Sequence, residues 1–439
     1  MRPARLLLPL AVATGVLVAF PLAAQDTTAG RGVHIGMQYT PGLKPNVLVL
    51  AIPGDLRDSA RTIIERDLDA GDRVTIIPNT GGQLAAAVGG GSAAMNYALY
   101  AKLGAAAVVQ CTLAPASLHV VVHDVGHARV ADSRDAVISG APLGPEWRLA
   151  VHGASDEIER TITGVRGIAA TRVAFVRDGQ IYEIDADGAN ARALTGPGLA
   201  LSPAWHPTGR YVTFSLFTPK GTLIAVEDVQ AHAVRTLAAT PWGLNTTPLF
   251  SPDGNTVVYT HGDEGGTDLY LAPAFAPGAA RRITVGKGTD NTQPTFSPDG
   301  KRLAFTSGRL GHPEVYITDI DGTDAELLTP FEYGDADAYR ASPDWSPDGR
   351  LIAYQSRVAG TFQVMTISLR DHAVKQLTSD GVNSDPSWAP DSRHVVFTST
   401  RTGVQQLCIL DAESGRTRQL THGSAARIAA WSRALAPLP

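Results

Sequence analysis

Three histidines at four-residue spacing form the first group of side chains that could do chemistry. On one face of a helix, His119, His123 and His127 could bind a metal ion together. The residues around them alternate between apolar and polar types, however, which is typical of a β-strand. Four residues of a strand span about 13 Å, too far for consecutive histidines to share one zinc ion. We therefore predict a strand here and no metal site.

A second group has the residue types of a catalytic triad. His152, Ser155 and Asp156 lie in a stretch whose apolar residues recur with the period of an amphipathic helix. This period places the three polar residues on the other face, which we expect to be exposed to solvent. The glycine run 89–91 lacks the lysine of a phosphate-binding loop, and the chain has no Gly-x-Ser-x-Gly motif of a hydrolase nucleophile. These patterns predict neither catalysis nor a cofactor.

The elements that must position these residues form a small α/β region. Runs of apolar residues alternate with amphipathic stretches, and glycines follow the ends of the predicted helices. The predicted strands cover residues 33–38, 46–52, 73–77, 106–110 and 118–125, and the predicted helices cover 55–68, 93–103 and a stretch with Trp147, Val151, Ile158 and Ile162 on one face that ends near Gly164.

An internal repeat fills the rest of the chain. Each copy has an aromatic anchor that is followed in most copies by Ser-Pro-Asp-Gly or a close variant, in which Pro and Gly favour a tight turn. An alternating apolar strand comes next. The anchors are 43 to 49 residues apart, a period typical of four-stranded propeller blades. They are Trp205, Phe250, Phe296, Trp345, Trp388 and Trp431.

The sixth copy ends too soon after Trp431 to form a blade of its own. Its missing strands are available upstream, at 172–176, 180–184 and 191–195. A blade that combines both ends of the array would leave no open sheet edge. We therefore predict an α/β domain at residues 25–165 and an all-β six-bladed propeller of WD40-like (PD40) repeats at residues 166–439.

The N-terminus is typical of an exported protein. Residues 1–24 combine two arginines, an apolar run and small residues at a cleavage site, as in a signal peptide. An uncleaved membrane anchor is the alternative. The formal net charge of −5 argues against nucleic acid as a partner. We expect a monomer without a membrane span after cleavage, in which Cys111 and Cys408 are buried free thiols.

Polar residues recur just before the anchors, where the innermost strand of each blade begins. Such positions cluster at one mouth of a propeller channel and could bind a partner, an ion or only solvent. The candidates are Asn245, Thr246, Asn291, Thr292 and Asn383.

The order of these parts resembles that of the TolB family. The chain has a leader, an α/β region, the segment His152-Gly153-Ala154-Ser155-Asp156-Glu157-Ile158, the linker Thr163-Gly164-Val165-Arg166-Gly167, and then six repeats. The resemblance implies a non-enzymatic periplasmic component of the Tol-Pal system, which maintains outer-membrane integrity and supports cell division.

The resemblance also implies two partners. The peptidoglycan-associated lipoprotein Pal would bind the five polar candidates at the channel mouth. The inner-membrane protein TolA would bind the segment 25–35, with Gln25, Asp26, Val33 and Ile35 as candidate contacts. The segment begins Gln-Asp-Thr-Thr-Ala-Gly-Arg-Gly, which departs from the apolar-acidic opening of the family.

Two other functions are compatible with a secreted propeller. One is a hydrolase or lyase that uses the channel as its active site, for which His206, Asp290 and Asp385 are available. The other is the binding of a glycan or a metal ion in the channel.

Overall fold

The computed structural model describes residues 44–55, 58–78, 95–238, 243–275, 279–285, 289–330, 334 and 339–433. In these ranges the chain forms one five-stranded sheet, followed by six four-stranded sheets. The predicted signal peptide, the predicted strand at 33–38 and the predicted TolA-binding segment lie outside the described residues.

The five-stranded sheet has the order β2-β1-β3-β4-β5. Strand β1 is parallel to β2 and β3, whereas β3, β4 and β5 are antiparallel to one another. The strands are β1 (Asn46–Val49), β2 (Thr75–Ile76), β3 (Ala107–Ala114), β4 (Ser117–Asp124) and β5 (Arg129–Val137), and the helices are α1 (Ser59–Ala70), α2 (Tyr97–Lys102) and α3 (Pro145–Thr163).

Helices α1 and α3 pack on this sheet through the apolar faces that the sequence predicts. Ile63, Ile64 and Leu68 of α1 and Ile158 of α3 join the buried core of the sheet. Proline at the first position of α3 and the left-handed Gly164 after its end (φ 80°) set its boundaries. Strand β5 is absent from the sequence prediction, because a half-exposed edge strand rich in charged residues shows no apolar alternation.

Each four-stranded sheet is one propeller blade. Its strands are antiparallel and follow one another from the innermost to the outermost. The first blade contains β9 (Leu199–Trp205), β10 (Tyr211–Thr218), β11 (Gly221–Asp228) and β12 (Ala233–Ala238), and the second contains β13 (Leu244–Phe250), β14 (Thr256–Asp263), β15 (Gly266–Pro273) and β16 (Arg281–Arg282). The third contains β17 (Asn291–Phe296), β18 (Arg302–Ser307), β19 (Glu314–Asp319) and β20 (Glu326–Leu327), and the fourth contains β21 (Arg340–Trp345), β22 (Leu351–Val358), β23 (Thr361–Ser368) and β24 (Val374–Gln376). The fifth contains β25 (Asn383–Trp388), β26 (His394–Ser399), β27 (Gln406–Asp411) and β28 (Thr417–Gln419).

The sixth blade confirms the predicted closure of the array. Its inner strand is β29 (Ala426–Trp431), and its other strands are β6 (Arg172–Arg177), β7 (Gln180–Asp185) and β8 (Arg192–Ala193). Ser432 N donates to Arg172 O at 2.8 Å, and Trp431 Nε1 donates to Thr171 Oγ1 at 2.8 Å. The two ends of the array therefore hold each other inside one sheet.

The propeller has two different ends. The asparagine end is where the inner strands begin, and it carries Asn245, Asn291 and Asn383. The Pro-Asp-Gly end is where the inner strands finish and the repeat motif forms its turns. The α/β domain contacts the Pro-Asp-Gly end at the fifth and sixth blades, through ion pairs to Asp391 and Asp187.

Cys111 and Cys408 are both buried free thiols, as the sequence predicts. Burial raises the pKa of Cys111 to about 12. Among the described residues, no helix is long and apolar enough to cross a membrane.

Candidate partner-binding site

The three asparagines of the predicted site lie inside the propeller, at the junctions between blades. Each donates its amide to the third strand of the preceding blade: Asn245 to Thr222 O at 2.7 Å, Asn291 to Asp268 Oδ1 at 3.0 Å, and Asn383 to Gln363 Oε1 at 2.8 Å. All three have 0% of their surface exposed. They therefore join neighbouring blades and hold the start of each inner strand.

Each asparagine also accepts a hydrogen bond from the second strand of its own blade. Ser307 Oγ donates to Asn291 Oδ1 at 2.8 Å, and Ser399 Oγ donates to Asn383 Oδ1 at 2.7 Å. In the second blade, His261 Nδ1 lies 3.0 Å from Asn245 Oδ1. Because a buried amide is costly unless its hydrogen bonds are made, these contacts explain why polar residues occupy a buried position.

The residues that follow the asparagines have a different environment. Thr246 and Thr292 are partly exposed, and each directly follows the asparagine of its inner strand. Of the five predicted site residues, these two have surface exposed to solvent. Contact of any of the five with a partner stays a prediction.

Every inner strand contains a bulge close to its start. The residue three positions before each anchor has a left-handed backbone, with φ between 48° and 54°, and the pairing with the second strand shifts there. In five blades the next residue is proline, which has no N–H group and therefore leaves no backbone donor unpaired where the ladder is interrupted. The left-handed residues are Ser202, Thr247, Gln293, Ser342, Asp385 and Ile428.

A cavity of about 410 Å³ lies at the Pro-Asp-Gly end of the channel, lined by residues of all six inner strands. One side is polar, where Thr295, Asp344 and Ser387 precede their anchors, and the other is apolar, with Ala204 and Leu249. Burial raises the pKa of Asp344 to about 6, although its carboxylate accepts from Trp388 N at 2.7 Å.

The catalytic alternative is not favoured by the positions of its residues. His206 lies beyond the end of β9, at the Pro-Asp-Gly end, where its ring nitrogens lie near Thr208 Oγ1 and Gly254 O. Asp290 precedes β17 at the opposite end and accepts from Thr267 Oγ1 at 3.1 Å. The structure does not bring these two residues together.

The predicted exposure of His152, Ser155 and Asp156 is wrong. All three are buried, with 0%, 1% and 1% of their surfaces exposed. The apolar face of helix α3 packs on the five-stranded sheet. The polar face, which carries these three residues, lies on the side of the propeller. The amphipathic pattern shows which face meets the sheet, but it does not reveal that a second domain covers the other face.

Each residue of that supposed triad has a structural partner. His152 Nδ1 lies 2.8 Å from Asp67 Oδ2, and Ser155 Oγ donates to the carbonyl of Val151. Asp156 accepts the backbone N–H groups of Ala169 and Ala170 at 2.7 and 3.0 Å, just before the first propeller strand. Burial raises the pKa of Asp156 to about 7. This face of α3 thus fixes the linker between the two domains.

A buried ion network continues this contact into the fifth blade. Arg73 Nη1 lies 3.2 Å from Glu159 Oε1 and 3.1 Å from Asp391 Oδ2, and His394 Nδ1 lies 2.7 Å from Asp391 Oδ2. Burial raises the pKa of Glu159 to about 8. Burial would also raise the pKa of Asp391, but the hydrogen bond and charge of His394 and the charge of Arg73 hold it below its usual value.

In the other histidine group, His119 and His123 lie in strand β4, as predicted, whereas His127 lies in the turn that follows. Each of its members has its own partner: His119 pairs with Asp135, His123 with Tyr97 and Gln110, and His127 with Asp124. Among the described residues, one group has three possible metal-ligand atoms within 4.8 Å of one another: His152, Asp185 and Asp187. Arg66, Arg148 and Arg172 already compensate its two carboxylates.

Arginines at the asparagine end are missing from the sequence-based set. Arg340 takes the place of the asparagine in the fourth blade, and its Nη1 lies 2.6 Å from Glu314 Oε1 in the third blade. Arg309 and Arg401 follow β18 and β26. The signal that could have revealed the latter two is the recurrence of Ser-x-Arg after the second strand, in Ser307-Gly308-Arg309 and Ser399-Thr400-Arg401.

The TolB protein of Acinetobacter baumannii has a similar fold. Its crystal structure gives a TM-score of 0.76 at 23% identity, over 90% of this chain and 98% of that one. The Tol-Pal system protein TolB of Anaeromyxobacter sp. (strain K) is 30% identical over 285 residues, which is 61% of this chain and 64% of the relative. That of Anaeromyxobacter dehalogenans (strain 2CP-1) is 30% identical over 149 residues, 32% of this chain and 33% of the relative.

This chain spans less than two thirds of the length of these curated relatives. A family model covers more of it: PD40, the TolB beta propeller domain, matches residues 159–435. This match runs from the end of α3 through all six blades. The chain therefore belongs to the TolB β-propeller family.

Proposed function

We propose that this protein is a non-enzymatic periplasmic scaffold of the Tol-Pal system that links a Pal-like peptidoglycan-associated lipoprotein to a TolA-like inner-membrane protein. Through these contacts it would maintain outer-membrane integrity and support cell division. Family membership supports the proposal, as do relatives that are named Tol-Pal system proteins.

The asparagine end is the proposed site for the lipoprotein. The observation that carries this assignment is that the α/β domain contacts the Pro-Asp-Gly end, at Asp391 and Asp187, and leaves the partly exposed Thr246 and Thr292 at the other end. Asn245, Asn291 and Asn383 act by holding the inner strands that present these threonines. A bulky charged side chain at the mouth should therefore block binding without unfolding the protein.

The proposed site for the TolA-like protein is the segment 25–35, with Gln25, Asp26, Val33 and Ile35 as contacts. Residues 1–24 act as the signal peptide in this proposal, so that the mature protein is periplasmic. It is monomeric, binds no nucleic acid and needs no cofactor. The domain limits 25–165 and 166–439 are part of the same proposal.

A pull-down from the envelope fraction of the source organism tests the lipoprotein site. Tagged residues 25–439 should recover a lipoprotein with a peptidoglycan-binding domain. Thr292→Glu should reduce the recovered amount at least about tenfold, the loss expected when a charge is buried at a protein interface. Thr323→Glu is the matched control, because Thr323 is exposed in a turn at the Pro-Asp-Gly end. Failure to recover such a lipoprotein under gentle extraction would contradict the proposal.

A further inference from the structure

Two arginines at the asparagine end have their guanidinium groups fixed in the same way. Arg309 Nε donates to Ser307 Oγ at 2.9 Å, and Arg309 Nη2 donates to Asn291 Oδ1 at 3.3 Å. In the fifth blade, Arg401 Nε donates to Ser399 Oγ at 3.0 Å. The buried asparagine and its serine therefore hold an arginine at the surface as well as joining two blades.

The same guanidinium groups lie over aromatic rings of the blades. The guanidinium carbon of Arg309 lies 4.5 Å from the ring centre of Tyr316, and that of Arg401 lies 5.4 Å from the ring centre of Phe397. In the sixth blade, Arg177 lies 5.1 Å from the ring centre of Phe175. A stacked and hydrogen-bonded guanidinium is preorganised, and its remaining N–H groups can bind a planar carboxylate.

These arginines carry positive charge that no carboxylate pairs with in the described ranges. Arg309 and Arg401 contact hydroxyl and amide oxygens, and Arg177 donates to His422 O at 3.2 Å. Asp290, whose backbone carbonyl accepts from Gly308 N, directs its carboxylate to Thr267. The asparagine end therefore presents fixed positive groups with free bonding capacity.

The Pro-Asp-Gly end is different in this respect. There Arg210 pairs with Asp228 at 2.9 Å, Arg350 with Asp348 at 2.6 Å, and Arg393 with Asp411 at 2.5 Å. At these positions an aspartate lies beside each arginine of the Pro-Asp-Gly end, whereas a serine lies beside Arg309 and Arg401. Since the aspartate compensates the charge and the serine does not, Arg309 and Arg401 keep a positive charge that no described carboxylate pairs with, although Arg340 at the same end pairs with Glu314.

We propose that the asparagine end binds its protein partner through an acidic loop, whose carboxylates pair with Arg177, Arg309 and Arg401. The inference rests on the proposed function, because it gives the chemistry of the partner at the same mouth. The three arginines belong to the third, fifth and sixth blades and so are spread around the mouth. Separate guanidinium forks suit several carboxylates of one protein segment better than they suit a single phosphate group.

The first test uses a labelled peptide of alternating Asp and Gly residues as the probe. The wild-type protein should bind it more tightly than a Lys-Gly peptide, and raising NaCl from about 50 to 500 mM should weaken the binding at least about tenfold. The double variant Arg309→Glu/Arg401→Glu should bind at least about tenfold more weakly at low salt. Arg350→Glu/Arg370→Glu is the control, because both residues are exposed at the Pro-Asp-Gly end.

Several results would overturn the acidic-loop proposal. They are equal binding of the two peptides, equal binding by both double variants, and displacement of the acidic peptide by an equimolar amount of inorganic phosphate. Thermal unfolding of each variant is measured first. If the Arg309/Arg401 double variant is unfolded, Arg309→Gln/Arg401→Gln replaces it, and the same loss of peptide binding is expected.

The second test separates this proposal from the proposed function. If the pull-down recovers no peptidoglycan-binding lipoprotein, the proposed function fails, and the peptide experiment still decides on the acidic loop. If the lipoprotein is recovered in equal amounts by wild type and by the Arg309/Arg401 double variant, at both low and high salt, the acidic-loop proposal fails and the proposed function stands. Loss of the lipoprotein from that variant alone supports both.

Discussion

The two ends of the propeller are built from the same repeat, but several of their arginines have different kinds of partner. At the Pro-Asp-Gly end, the charged residues under the α/β domain are buried and paired, as in the contact of Arg73 with Glu159 and Asp391. At the asparagine end, Arg309 and Arg401 contact neutral oxygens and lie at the surface. The first arrangement fixes two domains of one chain, and the second leaves bonding capacity for another molecule.

The comparison shows that equivalent positions need not have equivalent energies. Asp391 and Asp348 each lie three residues after a tryptophan anchor, yet the side chain of Asp391 is 1% exposed and that of Asp348 is 26% exposed. The α/β domain makes this difference, because its Arg73 packs on Asp391, whereas Asp348 pairs with the exposed Arg350. Variants at equivalent positions of two blades can therefore separate the contribution of the repeat to the free energy of unfolding from that of the domain contact.

The largest effect is expected for Asp391→Ala. The change leaves His394 without its carboxylate and Arg73 with Glu159 as its remaining partner in a buried site, and breaking a buried ion pair costs about 3–5 kcal/mol. Asp348→Ala removes a more exposed carboxylate and should cost about 1 kcal/mol. Urea unfolding of both variants measures the difference. Equal losses would mean that the domain contact adds nothing to the turn.

The next effect concerns the asparagine end. Asn383→Ala removes hydrogen bonds to Gln363 and Ser399 and leaves their partners buried, so the free energy of unfolding should fall by about 2–3 kcal/mol. The neighbouring Ser384 is partly exposed, and Ser384→Ala should change the same quantity by less than about 0.5 kcal/mol. Chemical denaturation compares the two. A small loss for Asn383→Ala would show that the asparagine does not hold adjacent blades together.

The third effect is a dependence of stability on pH that arises from Glu159. Burial raises its pKa to about 8, whereas a glutamate in an unfolded chain ionises near about 4.3. The stability that this group contributes is therefore complete below about pH 4 and is lost as the pH rises through about 8.

Glu159→Gln removes this ionisation and keeps an oxygen for Arg73. The fall in unfolding free energy between pH 6.5 and pH 8 should be smaller in the variant by roughly 1–2 kcal/mol. Glu146→Gln is the control, because Glu146 is exposed in the first turn of the same helix, and its profile should match that of the wild type. Denaturant titrations at several pH values check this. Parallel profiles for all three proteins would contradict the assignment.

Much of the architecture could be predicted because it depends on local sequence patterns. The anchors and turns fix the number of blades, and the shortage of residues after Trp431 requires strands from upstream, which β6 to β8 supply. Strand β5 could not be predicted in the same way. Its burial alternates only weakly, since it forms the edge of its sheet and gains its structure from pairing with β4.

The environment of the polar residues was harder to predict than the fold. A polar face on α3 has the same pattern whether water or another domain covers it, so the burial of His152 and Asp156 could not be deduced from spacing. The asparagines posed the opposite difficulty. Their place at the mouth was predictable, but their contact with the preceding blade depends on side-chain geometry that only the assembled propeller provides.

The smallest effect is expected for two residues with a left-handed backbone, one at each end of the propeller. Ala359, exposed in the turn between β22 and β23 at the asparagine end, has a left-handed φ of 49°, and Ser392, in the turn that follows β25 at the Pro-Asp-Gly end, has a φ of 56°. Glycine adopts this conformation without the steric penalty of a β-carbon, so Ala359→Gly should raise the free energy of unfolding by about 0.5 kcal/mol.

Ser392→Gly should give no such gain, although it restores the glycine that four other repeats have at this position. Ser392 Oγ accepts from Asp348 N at 3.0 Å, and the loss of this bond between neighbouring blades should offset the relief of the backbone. Thermal unfolding of the two variants measures both shifts. An equal gain in both would mean that the bond to Asp348 contributes nothing, whereas a loss for Ser392→Gly alone would show that contacts between turns stabilise the Pro-Asp-Gly end beyond the domain contact.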